Sequence, residues 1–140
     1  MDVFENIEKI EYESQILAII IRNNFNKSGI HFFTPNEFSQ QLAYMNHPAG
    51  KIIEPHFHKP IERSVIYTQE VLLLKRGILK VNFYDNQQQF LFNKILTQGD
   101  VILLASGGHG FEVIEEIEMI EIKQGPYQGD NDKVRFNANK

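Results

Sequence analysis

Glycines divide this chain into short segments rich in β-branched and aromatic residues, and that spacing limits the folds open to it. The nine glycines lie at positions 29, 50, 77, 99, 107, 108, 110, 125 and 129. The segments between them contain mostly Ile, Val, Leu and Phe, which pack well on a pleated strand. Many short strands separated by turn residues are typical of a sandwich or a barrel. We therefore expect an all-β fold.

The composition fits a single globular domain and excludes several functions. A chain of 140 residues, 42% hydrophobic and 23% charged, can bury one core. Because it has no cysteine, disulfides, zinc fingers, Fe–S clusters and thiol nucleophiles are excluded. A net charge of −4 disfavours a general nucleic-acid binder. The longest apolar run, Ile16 to Ile21, is too short for a bilayer span of about 20 residues.

The N-terminus is polar and acidic and lacks the basic start of a signal peptide. We therefore expect a cytoplasmic protein with no membrane or nucleic-acid partner.

In the first half of the chain, local patterns predict two strands and a helical turn. The Ile-rich centre of Gln15 to Arg22 favours a strand, with a short buried helix as the alternative. Ile30 to Phe33 is a second short strand. Thr34 is placed to cap a helical turn through Gln41, with Pro35 at the first helical position.

In the second half the strand patterns are clearer. Val71 to Leu74 is fully apolar, Gly77 is expected to turn the chain, and Leu79, Val81 and Phe83 alternate with polar residues. The pattern continues with a hairpin turn at Asp85 to Gln88, strands at Phe90 to Leu96 and Val101 to Leu104, a last strand pair at Phe111 to Ile114 and Ile117 to Lys123, and a polar tail from Asp130 to Lys140.

Three histidines and one glutamate lie at positions that indicate a metal site. In an extended strand, His56 and His58 would point to one face, about 6–7 Å apart. Glu70 begins an apolar run, where a buried carboxylate is costly unless it is paired or metal-bound. His109 follows two glycines in a loop. Three imidazoles and one carboxylate suit a divalent transition metal such as Zn, Fe, Mn, Co or Ni.

Each of these residues also has a plain structural interpretation. His56 and His58 can be a surface pair, Glu70 a solvated strand end and His109 an ordinary loop residue. Only their joint spacing favours the metal.

That spacing resembles the two motifs of the cupin superfamily. Five residues separate Gly50 from His56, and six residues separate Glu70 from Gly77. Eleven residues separate His58 from Glu70. This interval is longer than in the family, as a hairpin or loop insertion would explain, and it leaves Glu62 and Gln69 as alternatives to Glu70.

The second motif matches from Gly99. Five residues follow it, Ala105 stands where the family has proline, Gly107 matches, and His109 comes one residue early. The segments Gly107 to Phe111 and Glu121 to Tyr127 further resemble small bacterial cupins associated with surface-polysaccharide or sugar-nucleotide genes.

The resemblance implies one cupin domain over residues 1–140. It would have an N-terminal extension over 1–49, a barrel core over 50–124 and a tail over 125–140. His56, His58, Glu70 and His109 would bind the metal. Such small cupins commonly form homodimers, and the Ile-rich N-terminal segment would be an exchanged or edge-pairing strand.

Other candidate site residues come from position. Arg63, Lys123 and Gln124 are candidates for substrate binding, and Arg63 could bind a carboxylate or phosphate bidentately. If Ile120 and Ile122 face the core, Glu121 and Lys123 face away from it. The candidates for the proton-transfer base are Tyr67, Tyr84 and Glu62. His31 and His47, as well as Asp130, Asp132 and Lys133 of the tail, are expected to lie outside any site.

These residues support three functions. The first is a metal-dependent isomerase or epimerase acting on a small polar molecule such as a carbohydrate derivative. The second is Fe(II)-dependent oxygenation with the same ligands. The third is a module that binds a metabolite without turnover.

Overall fold

The computed structural model describes residues 5–137, in which nearly all regular structure is β-strand. The elements are β1 (Ile7–Tyr12), β2 (Gln15–Ile21), β3 (Gly29–Phe32), β4 (Ala43–Asn46), β5 (Glu70–Tyr84), β6 (Phe90–Leu96), β7 (Val101–Leu104), β8 (Gly108–Lys123) and a 3₁₀ turn at Gly129–Asp132. The expected all-β class is confirmed.

Six strands form one antiparallel sheet that curls into a half-barrel. Its order is β1-β2-β7-β5-β6, and β8 pairs with β5. The long β5 pairs with β7 and β8 near its start and with β6 and β8 near its end. Strands β3 and β4 form a separate hairpin.

The sheet buries side chains on both faces, and β2 contributes to both. Ala18 and Ile20 lie in one hydrophobic cluster with Leu72 and Phe83. The alternate residues of β2 lie in a second cluster, which the β3–β4 hairpin and its flanking residues cover. This alternation is why the segment contains an unbroken apolar run. It also makes β2 an interior strand between β1 and β7, which does not fit the expected edge-pairing role, while an exchange of this strand between subunits stays a prediction.

Two breaks expected in the second half are absent. Gly77 does not turn the chain, because β5 continues through it with irregular pairing on both sides. The expected pair Phe111 to Ile114 and Ile117 to Lys123 is the single strand β8. Both strands bend and do not end there. A shift in register lets the β5–β8 pair, a two-stranded ribbon, change direction while most hydrogen bonds between the two strands are kept.

The other predicted strands are confirmed, with the ends of β6 and β7 as expected. The helical turn at Thr34 is wrong. The Thr34 hydroxyl donates to the side chain of Gln41 and accepts from the backbone N–H of Leu42, so it closes a loop and caps no helix.

Residues 47–69 form no strand or helix, and most of their side chains are exposed. They include large apolar side chains such as Phe57, which is 86% exposed, and Ile66, which is 84% exposed. Within residues 5–137, no helix has the length and apolar character needed to cross a membrane.

Candidate functional site

A cavity of about 800 Å³ opens beside the ends of β5 and β8, a size typical of small-molecule pockets. Its walls come from these two strands, from the glycine-rich turn before β8 and from the C-terminal segment. The lining residues are Thr68, Glu70, Asn82, Tyr84, Gly107, Gly108, His109, Gly110, Phe111, Glu112, Glu121, Lys123, Asp132, Lys133, Val134, Arg135 and Phe136.

Glu70 and His109 meet in this cavity. His109 Nε2 lies 3.3 Å from Glu70 Oε1, and both side chains are mostly buried. Along the ribbon, however, Glu70 pairs with Lys123 and His109 pairs with Phe83. In a straight ribbon Glu70 and His109 would be roughly 40 Å apart. The curl of β5 and β8 is therefore what creates this contact.

The contact changes the acidity of Glu70. The hydrogen bond with His109 lowers the pKa of Glu70 to about 2, against the opposing effect of burial. Glu70 is thus a carboxylate at neutral pH. A carboxylate that accepts a hydrogen bond from Nε2–H holds the imidazole in the tautomer whose Nδ1 has the free lone pair.

Glu121 is a second carboxyl group in the cluster, and we did not select it from the sequence. It hydrogen-bonds Glu70, which together with desolvation raises the pKa of Glu121. Lys123 Nζ lies 4.0 Å from Glu121 Oε2. Of these two carboxyl groups in contact, Glu70 therefore has a lowered pKa and Glu121 a raised pKa.

At the end of β8, the isoleucines face solvent and the charged residues face the cavity, the reverse of an arrangement that buries the isoleucines. Ile120 and Ile122 are exposed, whereas Glu121 and Lys123 line the cavity. The register explains this, because Glu121 lies opposite Leu72, a core residue. The alternation of Glu121 and Lys123 was the signal that could have found Glu121, whereas Lys123 was selected from its position at the end of the last strand.

A second group of polar residues lies farther along β5. The Asn82 side-chain amide donates to Glu112 Oε2 at 2.8 Å, and Lys80 Nζ lies 4.0 Å from the same oxygen. Tyr84, a candidate proton-transfer base, is buried at the cavity wall with its ring 5.1 Å from that of Phe136.

The other candidates from the 47–69 segment do not line the cavity. Among them, the rings of His56 and His58 lie 5.3 Å apart, close to each other although no strand holds them. Three further candidates of this segment are exposed, namely Glu62, Arg63 and Tyr67.

Gln69 and Gln124 have structural contacts instead. Gln124 accepts a hydrogen bond from the backbone of Gln69 and donates one to Ser39. Gln69 accepts from the backbone of Gln40. Of the three alternatives Glu62, Gln69 and Glu70, it is therefore Glu70 that lines the cavity.

The four predicted metal ligands are only partly brought together. Glu70 and His109 are in contact, whereas His56 and His58 lie in the exposed segment. In the part of the chain that the structure describes, no group of three or more His, Asp or Glu side chains is arranged to hold a metal ion. The four-ligand site stays a prediction, and we assign no chemical step to a metal.

The polar tail is not separate from the cavity. Asp132, Lys133 and Arg135, with Phe136, line it. This corrects the expectation that Asp132 and Lys133 lie outside any site. The last residues of the predicted tail, 138–140, lie outside the described residues.

Comparisons with protein-family models, with curated proteins and with solved structures found no match.

Proposed function

We propose that this protein is a cupin-type isomerase or epimerase that acts on a small polar molecule, such as a carbohydrate derivative, in the cavity beside β5 and β8. The contact between His109 and Glu70 carries the proposal, since an imidazole oriented by a carboxylate is a common general base. The polar lining fits a hydroxylated ligand, which needs several hydrogen-bond partners.

The groups of the cavity support a two-residue proton transfer. His109 removes a proton from a carbon next to a carbonyl group, and Glu70 stabilises the imidazolium that forms. Glu121 in its protonated form donates to the carbonyl oxygen, which gives an enediol. The isomerisation is complete when the imidazolium of His109 gives its proton to the former carbonyl carbon and the Glu121 carboxylate takes the proton of the neighbouring hydroxyl group. The raised pKa of Glu121 favours the protonated form that this role requires.

Exchange of substrate hydrogen with solvent deuterium tests this function. The protein is incubated in D₂O with a panel of aldoses, ketoses and sugar phosphates, and deuterium uptake at carbon is followed by NMR. We expect uptake with at least one of them and a fall of about 100-fold or more in His109→Asn. His31→Asn, a histidine outside the cavity, is the matched control.

Uptake that is unchanged in His109→Asn would refute the assignment of the base. Binding of a sugar without any uptake would point to the non-catalytic alternative.

A bound metal is a second proposal, favoured by the juxtaposition of a nitrogen and an oxygen donor in His109 and Glu70. Elemental analysis of the purified protein beside His56→Ala/His58→Ala and His109→Asn tests it, with circular dichroism as the folding control. About one metal per chain, lost in both variants, would support the four-ligand site. Oxygen uptake by an iron-loaded protein would support the oxygenase alternative.

A further inference from the structure

The C-terminal strap, residues 129–136, forms a wall of the cavity. The Thr68 hydroxyl donates to Asp132 at 3.1 Å, so the strap is tied to the residues just before β5. At its C-terminal end the Phe136 ring packs edge-on against Tyr84. Phe136 also lies close to Gly108, where an added Cβ would be only 3.2 Å from its ring. The strap is thus held at its middle and at its C-terminal end.

The strap places two cations, Lys133 and Arg135, in the wall of a cavity whose acids already have partners. Glu70 is paired with His109 and hydrogen-bonded to Glu121, Glu112 accepts from Asn82, and Asp132 accepts from Thr68. Lys133 makes no ion pair within 4.0 Å among residues 5–137, and its charge acts on the carboxyl groups of Glu121 and Asp130 only from a longer distance.

Arg135 and Lys123, which line the same cavity as Lys133, have unused donors. One guanidinium nitrogen of Arg135 bonds Asp130 at 2.8 Å, which leaves most of its five N–H donors available. Among the described residues, Lys123 makes one ion pair within 4.0 Å, with Glu121; its charge also acts on Glu70, and its Nζ lies 5.7 Å above the Tyr127 ring. Three cations therefore line a cavity that also contains the proposed base.

We propose that Lys133, with Arg135 and Lys123, binds an anionic group of the substrate, so that the substrate is a sugar acid or a sugar phosphate. Carboxylate and phosphate share the chemistry that these cations recognise, namely oxygen anions that accept charge-assisted hydrogen bonds. This inference rests on the proposed function. It adds that the strap, and not Arg63, which does not line the cavity, supplies anion-binding groups.

Calorimetric titration with matched sugars tests the inference. The probes are glucuronate, glucose 6-phosphate and uncharged methyl glucoside, each titrated into the full-length protein. We expect both charged sugars to bind more tightly than methyl glucoside. In Lys133→Gln their affinity should fall by about tenfold, the equivalent of about 1.4 kcal/mol, with partial rescue in Lys133→Arg.

Lys9→Gln is the matched control. It removes one exposed cation from β1, outside the cavity, so it tests for an effect of net charge alone. Equal weakening in Lys9→Gln and Lys133→Gln would overturn the inference, as would unchanged affinity in Lys133→Gln.

The outcomes separate this inference from the function on which it rests. Binding of methyl glucoside alone would overturn the anionic substrate class and leave the proposed function standing. Binding of none of the three probes, by a protein that also shows no deuterium uptake with the wider panel, would overturn both. A preference for one charged sugar over the other would show whether the anion is a carboxylate or a phosphate.

Discussion

At the scale of single residues, Glu70 contributes both to the proposed chemistry of the cavity and to the stability of the fold. Its carboxylate is mostly buried, is held by His109 and contacts Glu121. A buried carboxylate with a hydrogen-bonded partner is favoured in its charged form, whereas the same group is exposed and unpaired in the unfolded chain. Stability should therefore depend on pH through this residue.

The sign follows from the direction of the shift. The pKa of Glu70 falls from 4.5 to about 2 on folding, so its contribution is complete above about pH 4.5 and is lost as the pH falls towards 2. We expect Glu70→Gln to lower the free energy of unfolding near neutral pH by up to about 3 kcal/mol, reduced by the opposing shift of Glu121. The difference should shrink towards about pH 3.

Urea unfolding at several pH values measures this dependence. Glu54→Gln, which alters an exposed carboxylate in the 47–69 segment, is the control. A difference between wild type and Glu70→Gln that stays constant with pH would contradict the assigned contact.

Asp100 is the other carboxylate on which the fold depends. It is 1% exposed and accepts hydrogen bonds from the backbone N–H groups of Asn23 and Thr97 and from the Arg22 guanidinium. These bonds tie the turn before β7 to the end of β2. Replacing a buried acceptor that serves several donors destabilises the fold, because each donor left without a partner has been removed from water and gains no hydrogen bond in return.

We expect Asp100→Asn to destabilise the protein by about 2–4 kcal/mol, since an amide offers only one oxygen to these donors. Asp85→Asn is the control. Asp85 also accepts two backbone N–H bonds in a turn, but in an exposed hairpin, so its cost should be under about 1 kcal/mol. Equal midpoints of thermal unfolding for the two variants would contradict this ranking.

At the scale of elements, the bend of β5 and β8 decides whether a site exists. Gly77 lies at the bend with a φ of +95°, in the region that favours glycine. A Cβ there would collide with the backbone carbonyl of Glu116 on β8. The two strands can approach this closely only because residue 77 has no side chain.

Gly77→Ala should therefore destabilise the protein by at least about 2 kcal/mol, through backbone strain and the collision together. It should also weaken the pH dependence that we assign to Glu70, because a straighter ribbon separates Glu70 from His109. Gly50→Ala is a matched control. Its φ is also positive, at +89°, but an added Cβ would meet nothing within 4 Å. An equal loss of stability in Gly77→Ala and Gly50→Ala would show that the collision with Glu116 does not contribute to the destabilisation.

At the scale of the whole molecule, one sheet separates two hydrophobic clusters. Ile20 packs on one face and Ile19 on the other, and both are fully buried. Because β2, β5 and β7 contribute side chains to both clusters, neither cluster can lose these strands without disrupting the other. We expect them to unfold in one cooperative transition.

Ile19→Ala and Ile20→Ala test this cooperativity. Each should cost about 2–5 kcal/mol, as large-to-small core substitutions do. In both variants, circular dichroism and tyrosine fluorescence should give coincident unfolding curves. Curves that separate in only one variant would show that its cluster unfolds independently.

Much of the strand pattern was predictable, because it depends on neighbouring residues. The alternation of Leu79, Val81 and Phe83 and the apolar run of β7 give the correct strands, since both follow from the period of a pleated chain. The missed features are long-range. Nothing in the local pattern shows that Gly77 bends a continuous strand, because that depends on the approach of β8.

The site was predictable in part. Glu70 and His109 were selected from their spacing, and Lys123 and Tyr84 from their positions. Glu121, Lys133 and Arg135 were missed, because their place at the cavity depends on register and on the path of the strap.

The all-β class and most strand positions follow from the residue pattern alone, because side-chain periodicity acts over a few residues. The contact between Glu70 and His109, which are 39 positions apart in the chain, exists only in the folded protein, and so does the wall that the strap adds to the cavity. Small bends accumulate along β5 and β8 and end in contacts between distant residues, which no local pattern contains.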